Sequence, residues 1–367
     1  PNALEAIEAL QCVVDFAGKA PKALYYLGNL WYDKRRYPTA IAAWERSSRE
    51  DETFPTVWRN LSLAYFNKMN RPDEAVALLE KAFRLDHTDA RVLMELDQLY
   101  KRLNRPHIER LCFLEQHIDI VMTRDDLYLE YVTLLNQTGQ YREAIRRIDQ
   151  RKFHPWEGGE GKVPAQYQLA RLELAKELIN RKKYDDALAL IDECYIYPTH
   201  LGEGKLPGAQ ENDFNYYKAY ILQQQGRLEE AHSLFVKACS GNSQPAAAMY
   251  YNDQKPDKIF YQGLAYRKLG EEEKARSRFN QLITYGEEHL FDRFKMDYFA
   301  VSLPDLLIWE DDMDKKNRIH CNYLMALGHL GLGNRTKAEH FFDIAASMDN
   351  NHQGVQIHRK LMNTILS

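Results

Sequence analysis

Residues 263–279 read G-L-A-Y-R-K-L-G-E-E-E-K-A-R-S-R-F, and this stretch decides the fold. Gly263 and Ala275 are small residues on the two sides of a turn signal at Gly270. Phe279 follows Ala275 by one helical turn and covers the same face. Small residues let two helices approach closely, and the aromatic residue fills the gap beside them. The stretch therefore predicts a helix, a turn and a second helix that pack on each other.

The same markers recur along the chain, about 34 residues apart before residue 155 and about 44 apart after it. The marker alanines are Ala40, Ala75, Ala144, Ala187, Ala231, Ala275 and Ala338. A third repeat keeps its spacing but places Glu109 where an alanine is expected. Units of this kind cover their apolar faces only by stacking on neighbours. The pattern predicts an all-α protein, a right-handed α-solenoid of about eight helix-turn-helix repeats with a concave groove.

The changes of period divide the chain into five expected segments. They are a leading helix of a truncated repeat (1–20), four repeats of about 34 residues (21–154), three longer repeats (155–288), an apolar insertion (289–318), and a final repeat with the start of a further helix (319–367). The apolar run 290–309 must be buried somewhere, and Pro304 interrupts any helix through it. Because the chain starts at Pro1 and both ends look like interrupted repeats, we expect a piece of a longer protein.

A doubled loop marks the change of period. Residues 155–164, P-W-E-G-G-E-G-K-V-P, return as P-T-H-L-G-E-G-K-L-P at residues 198–207, and both copies follow second helices. Two interpretations stay open: rigid connectors, or twin loops that recognise a ligand or clamp a partner domain. A phosphate loop is not expected, because Val163 and Leu206 stand where Ser or Thr is needed and no strand precedes. The candidate binding residues of the loops are Trp156, Glu157, Glu160, Lys162, Glu203 and Lys205.

The first helix of each repeat is expected to face the groove. Counting from the markers places a mixture of aromatic, amide and arginine side chains there, which suits an extended peptide. Ordinary packing, or filling of the groove by the insertions, explains the same residues equally well. The candidates are Tyr25, Asn29, Tyr32, Arg59, Phe66, Asn67, Thr133, Asn136, Tyr216, Tyr220 and Gln223.

Composition narrows the function. The formal charge of −4, with 49 basic among 53 acidic residues, predicts neither nucleic-acid nor membrane binding. Five cysteines without C-x-x-C spacing favour a reducing compartment, and the cytoplasm is the expected location. The run Glu310-Asp311-Asp312 is interpreted as favouring the dipole of the following helix rather than as catalytic. No catalytic residues, metal site or cofactor are expected.

The markers resemble the tetratricopeptide repeat family over nearly the whole chain. The pattern W-x2-L-G-x2-Y followed by A-x3-F is approached by Leu27, Gly28, Trp31, Ala40 and Trp44, by Trp58, Leu61, Tyr65 and Ala75, and by the stretch at 263–279. This resemblance implies a scaffold that binds proteins or peptides.

A narrower resemblance is carried by F-H-P-W-E-G-G-E-G-K-V (153–163), L-G-E-G-K-L (201–206), D-Y-F-A-V-S-L-P-D-L-L (297–307) and A-L-G-H-L-G-L-G (326–333). These segments look like the C-terminal repeat region of large uncharacterised bacterial proteins whose N-terminal part is β-rich and similar to galactose mutarotase. The likeness implies a parent protein with a carbohydrate-linked role and supplies no catalytic residue.

Two functions follow as hypotheses. The first is a non-enzymatic interaction module that binds a protein, or the N-terminal domain of its own parent, through the groove and the twin loops. The second is an accessory part of a carbohydrate-active enzyme, in which Trp156, Glu160 and Glu203 line a sugar site shared with that domain.

Overall fold

The computed structural model describes residues 4–248, 253–293 and 308–362. Apart from one short 3-10 helix at Thr199–Leu201 and the connecting turns, these residues form α-helices, and they contain no strand. The first eight helices are α1 (Leu4–Phe16), α2 (Pro21–Asp33), α3 (Tyr37–Glu50), α4 (Pro55–Met69), α5 (Pro72–Leu85), α6 (Ala90–Arg102), α7 (His107–Gln116) and α8 (Ile118–Val121). The others are α9 (Asp125–Gln137), α10 (Tyr141–Asp149), α11 (Lys162–Asn180), α12 (Tyr184–Cys194), α13 (Asn212–Gln224), α14 (Leu228–Ala238), α15 (Pro256–Lys268), α16 (Glu272–His289), α17 (Met313–Gly331), α18 (Arg335–Met348) and α19 (Gln353–Leu361). The predicted all-α fold class is confirmed.

The helices form two compact units. The described residues of unit 1 are 4–105, 112–127 and 308–311, and those of unit 2 are 106–111, 128–248, 253–293 and 312–362. In unit 1, α1 packs on α2, and the hairpins α2–α3 and α4–α5 are followed by α6. In unit 2, the hairpins α11–α12, α13–α14, α15–α16 and α17–α18 stack in order. Each unit is thus a stack of helical hairpins.

Small residues set the distance between the two helices of a hairpin. Ala40, Ala144 and Ala275 are completely buried. A Cβ atom added to Gly28 would lie 2.2 Å from the Trp44 indole, and one added to Gly263 would lie 2.4 Å from the Phe279 ring. Since real Cβ atoms do not approach so closely, glycine is required where the aromatic ring of the second helix lies on the first.

A ladder of left-handed residues marks the turn within each hairpin. One residue with a positive φ ends the first helix of each hairpin, which redirects the chain into the second. This conformation also occurs in the third repeat, at Asn104, although that repeat has lost its marker alanine. The eight turn residues among the described positions are Arg35, Asn70, Asn104, Gly139, Lys182, Gly226, Gly270 and Gly333.

The apolar insertion expected at 289–318 is described only in part. Residues 294–307, which include Pro304, lie outside the described residues. Residues 308–311 belong to unit 1. Helix α17 begins at Met313, and the Asp312 side chain caps it by accepting a hydrogen bond from the Lys315 N–H at 2.8 Å.

Candidate functional site

The first helices of unit 1 share one face. Asn60 on α4 donates from Nδ2 to Asn29 Oδ1 on α2 at 2.9 Å. Arg59 on α4 reaches Glu95 on α6 through two hydrogen bonds of 2.6 and 2.5 Å. These side-chain contacts place α2, α4 and α6 side by side, and we call their shared surface the inner face of unit 1.

The inner face of unit 1 holds residues 308–311 of the same chain. Trp309 is only 1% exposed, the largest fully buried side chain described. Its indole Nε1 donates to the Glu95 backbone oxygen at 3.1 Å. The ring of Phe66 meets the indole edge-on, with ring centroids 5.2 Å apart. A large aromatic side chain is therefore enclosed between α4 and α6.

Asn67 pairs with the backbone on both sides of Trp309. Its Nδ2 donates to the Ile308 oxygen at 2.9 Å, and its Oδ1 accepts from the Glu310 N–H at 3.0 Å. An asparagine side chain carries one acceptor oxygen and an NH₂ donor, so it can pair with main chain as a neighbouring strand does. The contact holds the backbone of residues 308–310 without reading their side chains.

Two cations hold the acidic residues that follow Trp309. Arg102 donates from Nη2 to the Trp309 oxygen at 3.0 Å and also pairs with the Asp311 carboxylate. Lys68 pairs with Glu310. We call the set Phe66, Asn67, Lys68, Glu95 and Arg102 the Trp309 site.

The Glu95 carboxylate is part of the frame of the site. It is fully buried and is held by Arg59 and by Arg91, whose Nε donates at 2.9 Å. Pairing of this kind offsets the cost of burying a carboxylate. The backbone oxygen of Glu95, rather than its carboxylate, accepts the hydrogen bond from the Trp309 indole.

The predicted groove residues of unit 1 take different roles. Asn67 and Phe66 contact the held segment, and Arg59 fixes Glu95. Tyr32 lies beside the site: burial raises the pKa of its phenol, and the Glu310 charge raises it further against the opposing effect of Lys68. Tyr25 and Asn29 serve packing, because the Trp44 indole donates to the Tyr25 oxygen and to Asn29 Oδ1.

Sequence reasoning missed Lys68, Glu95 and Arg102. Glu95 and Arg102 lie seven residues apart on α6, hence on one helical face, but the third repeat lacks the marker alanine from which that face would be counted. Glu310 and Asp311 were expected to favour a helix dipole. In the structure they pair with Lys68 and Arg102, and Asp312 alone caps α17.

In unit 2, helix α19 lies against first helices of the hairpins, namely α11, α15 and α17. We call the surface that they share the inner face of unit 2. On α19, Gln353 pairs with Gln166 of α11, with nitrogen–oxygen distances of 2.8 and 3.1 Å. His358 packs against Phe260 and Tyr261 of α15. Its Nδ1 lies 3.0 Å from the hydroxyl of Tyr323 on α17. Helix α19 therefore runs across the first helices of successive repeats.

A buried arginine anchors the turn before α19. Arg110 donates to Asn351 Oδ1 at 2.7 Å and pairs with Glu130 at 2.8 Å. Gln137 donates to the Asn351 oxygen at 2.8 Å. The residues expected as the start of a further helix are thus integrated into unit 2.

The predicted groove residues of unit 2 mostly belong to its core. Asn136 is buried and donates to Gln166 at 3.0 Å, and Thr133 donates to the Leu129 oxygen of its own helix. Tyr216 is buried, whereas Tyr220 and Gln223 are half-buried. Asn136, Thr133 and Tyr216 therefore serve packing within unit 2.

The two glycine-rich loops lie against each other. The Phe153 N–H donates to the His200 oxygen at 2.8 Å, and the Gly161 N–H donates to Glu203 Oε2 at 2.7 Å. Gly161 immediately precedes α11, so Glu203 from the second copy caps that helix. Burial raises the pKa of Glu203, although its hydrogen bond from Gly161 acts in the opposite direction.

The two copies have different local structures. In the first, the Trp156 indole lies on Gly159, and Lys162 is the first residue of α11. In the second, Lys205 donates to the Tyr195 oxygen at 3.0 Å and pairs with Glu211. Glu157 and Glu160 are exposed. Residues at equivalent positions of the two copies therefore make different contacts.

The described residues offer neither a metal site nor a membrane-spanning helix. Among the described positions, no three His, Cys, Asp or Glu side chains are grouped so as to hold a metal ion. Within the described part of the chain, no helix is long and apolar enough to cross a membrane. All five cysteines are free thiols, and burial raises the pKa of Cys321 to about 11.

Several solved structures are similar to this chain at low sequence identity. A tetratricopeptide repeat protein from Parabacteroides merdae has 11% identity and a TM-score of 0.44, with 93% of this chain and 98% of that one covered. YrrB, described as a TPR protein with an unusual peptide-binding site, has 15% identity and a TM-score of 0.38 over 51% of this chain and 91% of that one. The Naa15/Naa10 complex bound to HypK-THB has 12% identity and a TM-score of 0.44, covering 96% of this chain and 58% of that one.

Family models described as tetratricopeptide repeat match residues 55–89 and residues 259–285. The first match covers α4 and α5, and the second covers α15 and most of α16. The chain is thus an α-solenoid that contains tetratricopeptide repeats in both of its units.

Proposed function

We propose that this chain is a non-enzymatic scaffold that binds short segments of protein on the inner faces of its repeats. The observation that carries the proposal is the pairing of Asn67 with the backbone of residues 308 and 310. Backbone pairing combined with a buried aromatic anchor is a general way to hold an extended peptide. Partners are therefore proteins or peptides, and the N-terminal domain of a parent chain is one such partner.

The twin loops receive a structural role in this proposal. Glu203 is used to cap α11, and Lys205 is used to bond Tyr195 and Glu211. These contacts support the interpretation of the loops as connectors that fix the order of the hairpins. The sugar site formed by Trp156, Glu160 and Glu203 stays a prediction, as does the cytoplasmic location that the free thiols favour.

A displayed library of random peptides tests the proposal. The selection is run on the unaltered chain and on a Glu310→Lys, Asp311→Lys variant, whose reversed charges repel Lys68 and Arg102. Enriched peptides are then measured against Asn67→Leu, which keeps the size of the side chain and removes its donor and acceptor.

We expect enriched peptides to lose binding to Asn67→Leu and to keep it with Arg84→Ala, an exposed cation of unit 1. Peptides that bind regardless of Asn67, or no enrichment on either bait, would rule out the inner face of unit 1 as a binding surface.

A further inference from the structure

We infer that the Trp309 site recognises a protein segment in which a tryptophan is followed by two acidic residues, and that residues 308–311 occupy this site as an internal competitor. The inference rests on the proposed function and adds the chemistry of the partner and a reason for regulated binding. Its basis is that α4 and α6 hold residues 308–311 through contacts that a separate peptide can make.

Tryptophan is selected at the centre of the site. The pocket encloses the whole indole, with Phe66 at its edge, and the Glu95 oxygen accepts the indole N–H. Phenylalanine and leucine have no such donor, and tyrosine carries its hydroxyl at a different distance from the backbone. Buried tryptophans with a hydrogen bond are the side chains that most often dominate binding energy at interfaces.

Acidic residues are selected at the two following positions. Arg102 binds the Trp309 oxygen and the Asp311 carboxylate together, so its position depends on both the backbone and the side chain of the segment. Lys68 adds a second positive charge opposite Glu310. By contrast, the cations Arg59 and Arg91 are both paired with the Glu95 carboxylate. A basic residue in place of either acid would face an uncompensated like charge.

The contacts at the rim allow exchange. The side chain of Glu310 is 53% exposed and that of its partner Lys68 is 21% exposed. Ion pairs this exposed are individually weak and are screened by salt. The centre of the site is tight, but only one side chain of the segment is fully buried there.

Covalent attachment gives residues 308–311 an advantage over any separate peptide. A tethered segment competes at an effective concentration that a separate peptide must exceed. The apparent affinity for a partner is reduced by the fraction of molecules in which the site is vacant. Weakening the internal segment must therefore strengthen the binding of an external one.

The test uses a fluorescein-labelled peptide with the sequence of residues 305–313, D-L-L-I-W-E-D-D-M. Its binding to the full chain is followed by fluorescence anisotropy. The chain is compared with two variants that release the internal segment in different ways: Trp309→Ala, and Glu310→Lys with Asp311→Lys. Each variant is checked by circular dichroism and thermal melting.

We expect the peptide to bind both variants at least about tenfold more tightly than it binds the unaltered chain. Replacing the peptide tryptophan by alanine should weaken binding by roughly 30-fold, as expected for a hot-spot residue. Adding Asn67→Leu or Arg102→Ala to the Trp309→Ala variant should also weaken the binding of the unaltered peptide. Adding Arg84→Ala to that variant should leave the binding unchanged.

Two results would overturn the inference. The first is a peptide that binds neither variant while both variants melt cooperatively. The second is loss of cooperative melting in both variants, because residues 308–311 would then be core rather than a ligand. If random peptides selected through Asn67 lack the tryptophan and acidic pattern, the inference fails while the proposed function stands.

Discussion

The inner faces of the two units are both filled by the chain itself, but in different ways. In unit 1 the occupant is the short segment 308–311, held by backbone pairing and, at an exposed rim, by the ion pair between Lys68 and Glu310. In unit 2 the occupant is α19, whose Val355, His358 and Leu361 are buried among the first helices. The comparison distinguishes the two faces. We expect the face of unit 1 to be a binding surface whose occupant can leave, whereas the face of unit 2 is part of the hydrophobic core.

The largest expected effect is on α19. Val355→Asp places a carboxylate at a position that is 2% exposed, within the core of unit 2. Burying an unpaired charge should lower the free energy of unfolding by at least about 3 kcal/mol, measured by urea denaturation. Arg359→Ala on the same helix removes exposed pairs with Glu339 and Asp343 and should cost less than about 1 kcal/mol. Equal losses for the two variants would mean that α19 is not core.

A smaller loss of stability is expected in unit 1. Trp309→Ala should lower the free energy of unfolding by about 2 kcal/mol, since a tethered ligand stabilises only in proportion to its own binding. A buried tryptophan in a true core would cost about 3–5 kcal/mol when cut to alanine. Urea denaturation of the two proteins distinguishes these values, and a loss in the upper range would remove the difference between the two faces.

Acidification should weaken unit 2. Burial lowers the pKa of His358 to about 3 and that of His320 to about 4. The unfolded chain, with histidine pKa values near about 6.5, then binds more protons than the folded chain over this interval. Stability is therefore complete above the unfolded pKa and is lost as the pH falls towards the folded values. We expect roughly 1 kcal/mol per pH unit from each histidine below about pH 6.

The histidine variant tests this assignment. His358→Gln removes one titrating group, so the free energy of unfolding of the variant should fall less steeply between about pH 6 and pH 5. Urea denaturation at both pH values gives the two slopes. Identical slopes for the variant and the unaltered chain would exclude His358 as a contributor.

The smallest expected effect concerns the loops. Lys205→Ala removes the hydrogen bond to the Tyr195 oxygen and the ion pair with Glu211. Because Lys205 is partly exposed, the loss should be about 0.5–1 kcal/mol in denaturant unfolding. Lys152→Ala, at an exposed position before the first loop, serves as the matched control and should be neutral. Peptide binding at the Trp309 site should not change in either variant, and a change would give the loops a role in recognition.

The sequence predicted the fold because its signals are local. The contact between the two helices of one hairpin is made by Gly263, Ala275 and Phe279. The same contact is expected wherever the same residue types recur at this spacing. Asn67 and Phe66 could be placed on the inner face by counting from markers in their own repeat. What faced them could not, because Trp309 lies more than two hundred residues further along the chain and no period connects the two.

The loops show the opposite limit of sequence reasoning. Their identical letters suggested identical roles, but local context decides the contact that each residue makes. Glu203 caps a helix that belongs to the first copy, and Lys205 bonds the end of its own preceding helix. The spacing along the chain identified equivalent positions in the two loops. The hydrogen-bond partners of Glu203 and Lys205 depend on how the two loops fold against each other, which the spacing does not give.

The ion pairs of Glu95 with Arg59 and Arg91 have a consequence for the rate at which a partner binds. Arg59 and Arg91 hold its carboxylate independently of residues 308–311, so the pocket is assembled before any ligand arrives. A partner then waits only for the internal segment to leave. Its observed association rate should rise with partner concentration at first and then reach a plateau, and the height of that plateau is the departure rate of Trp309.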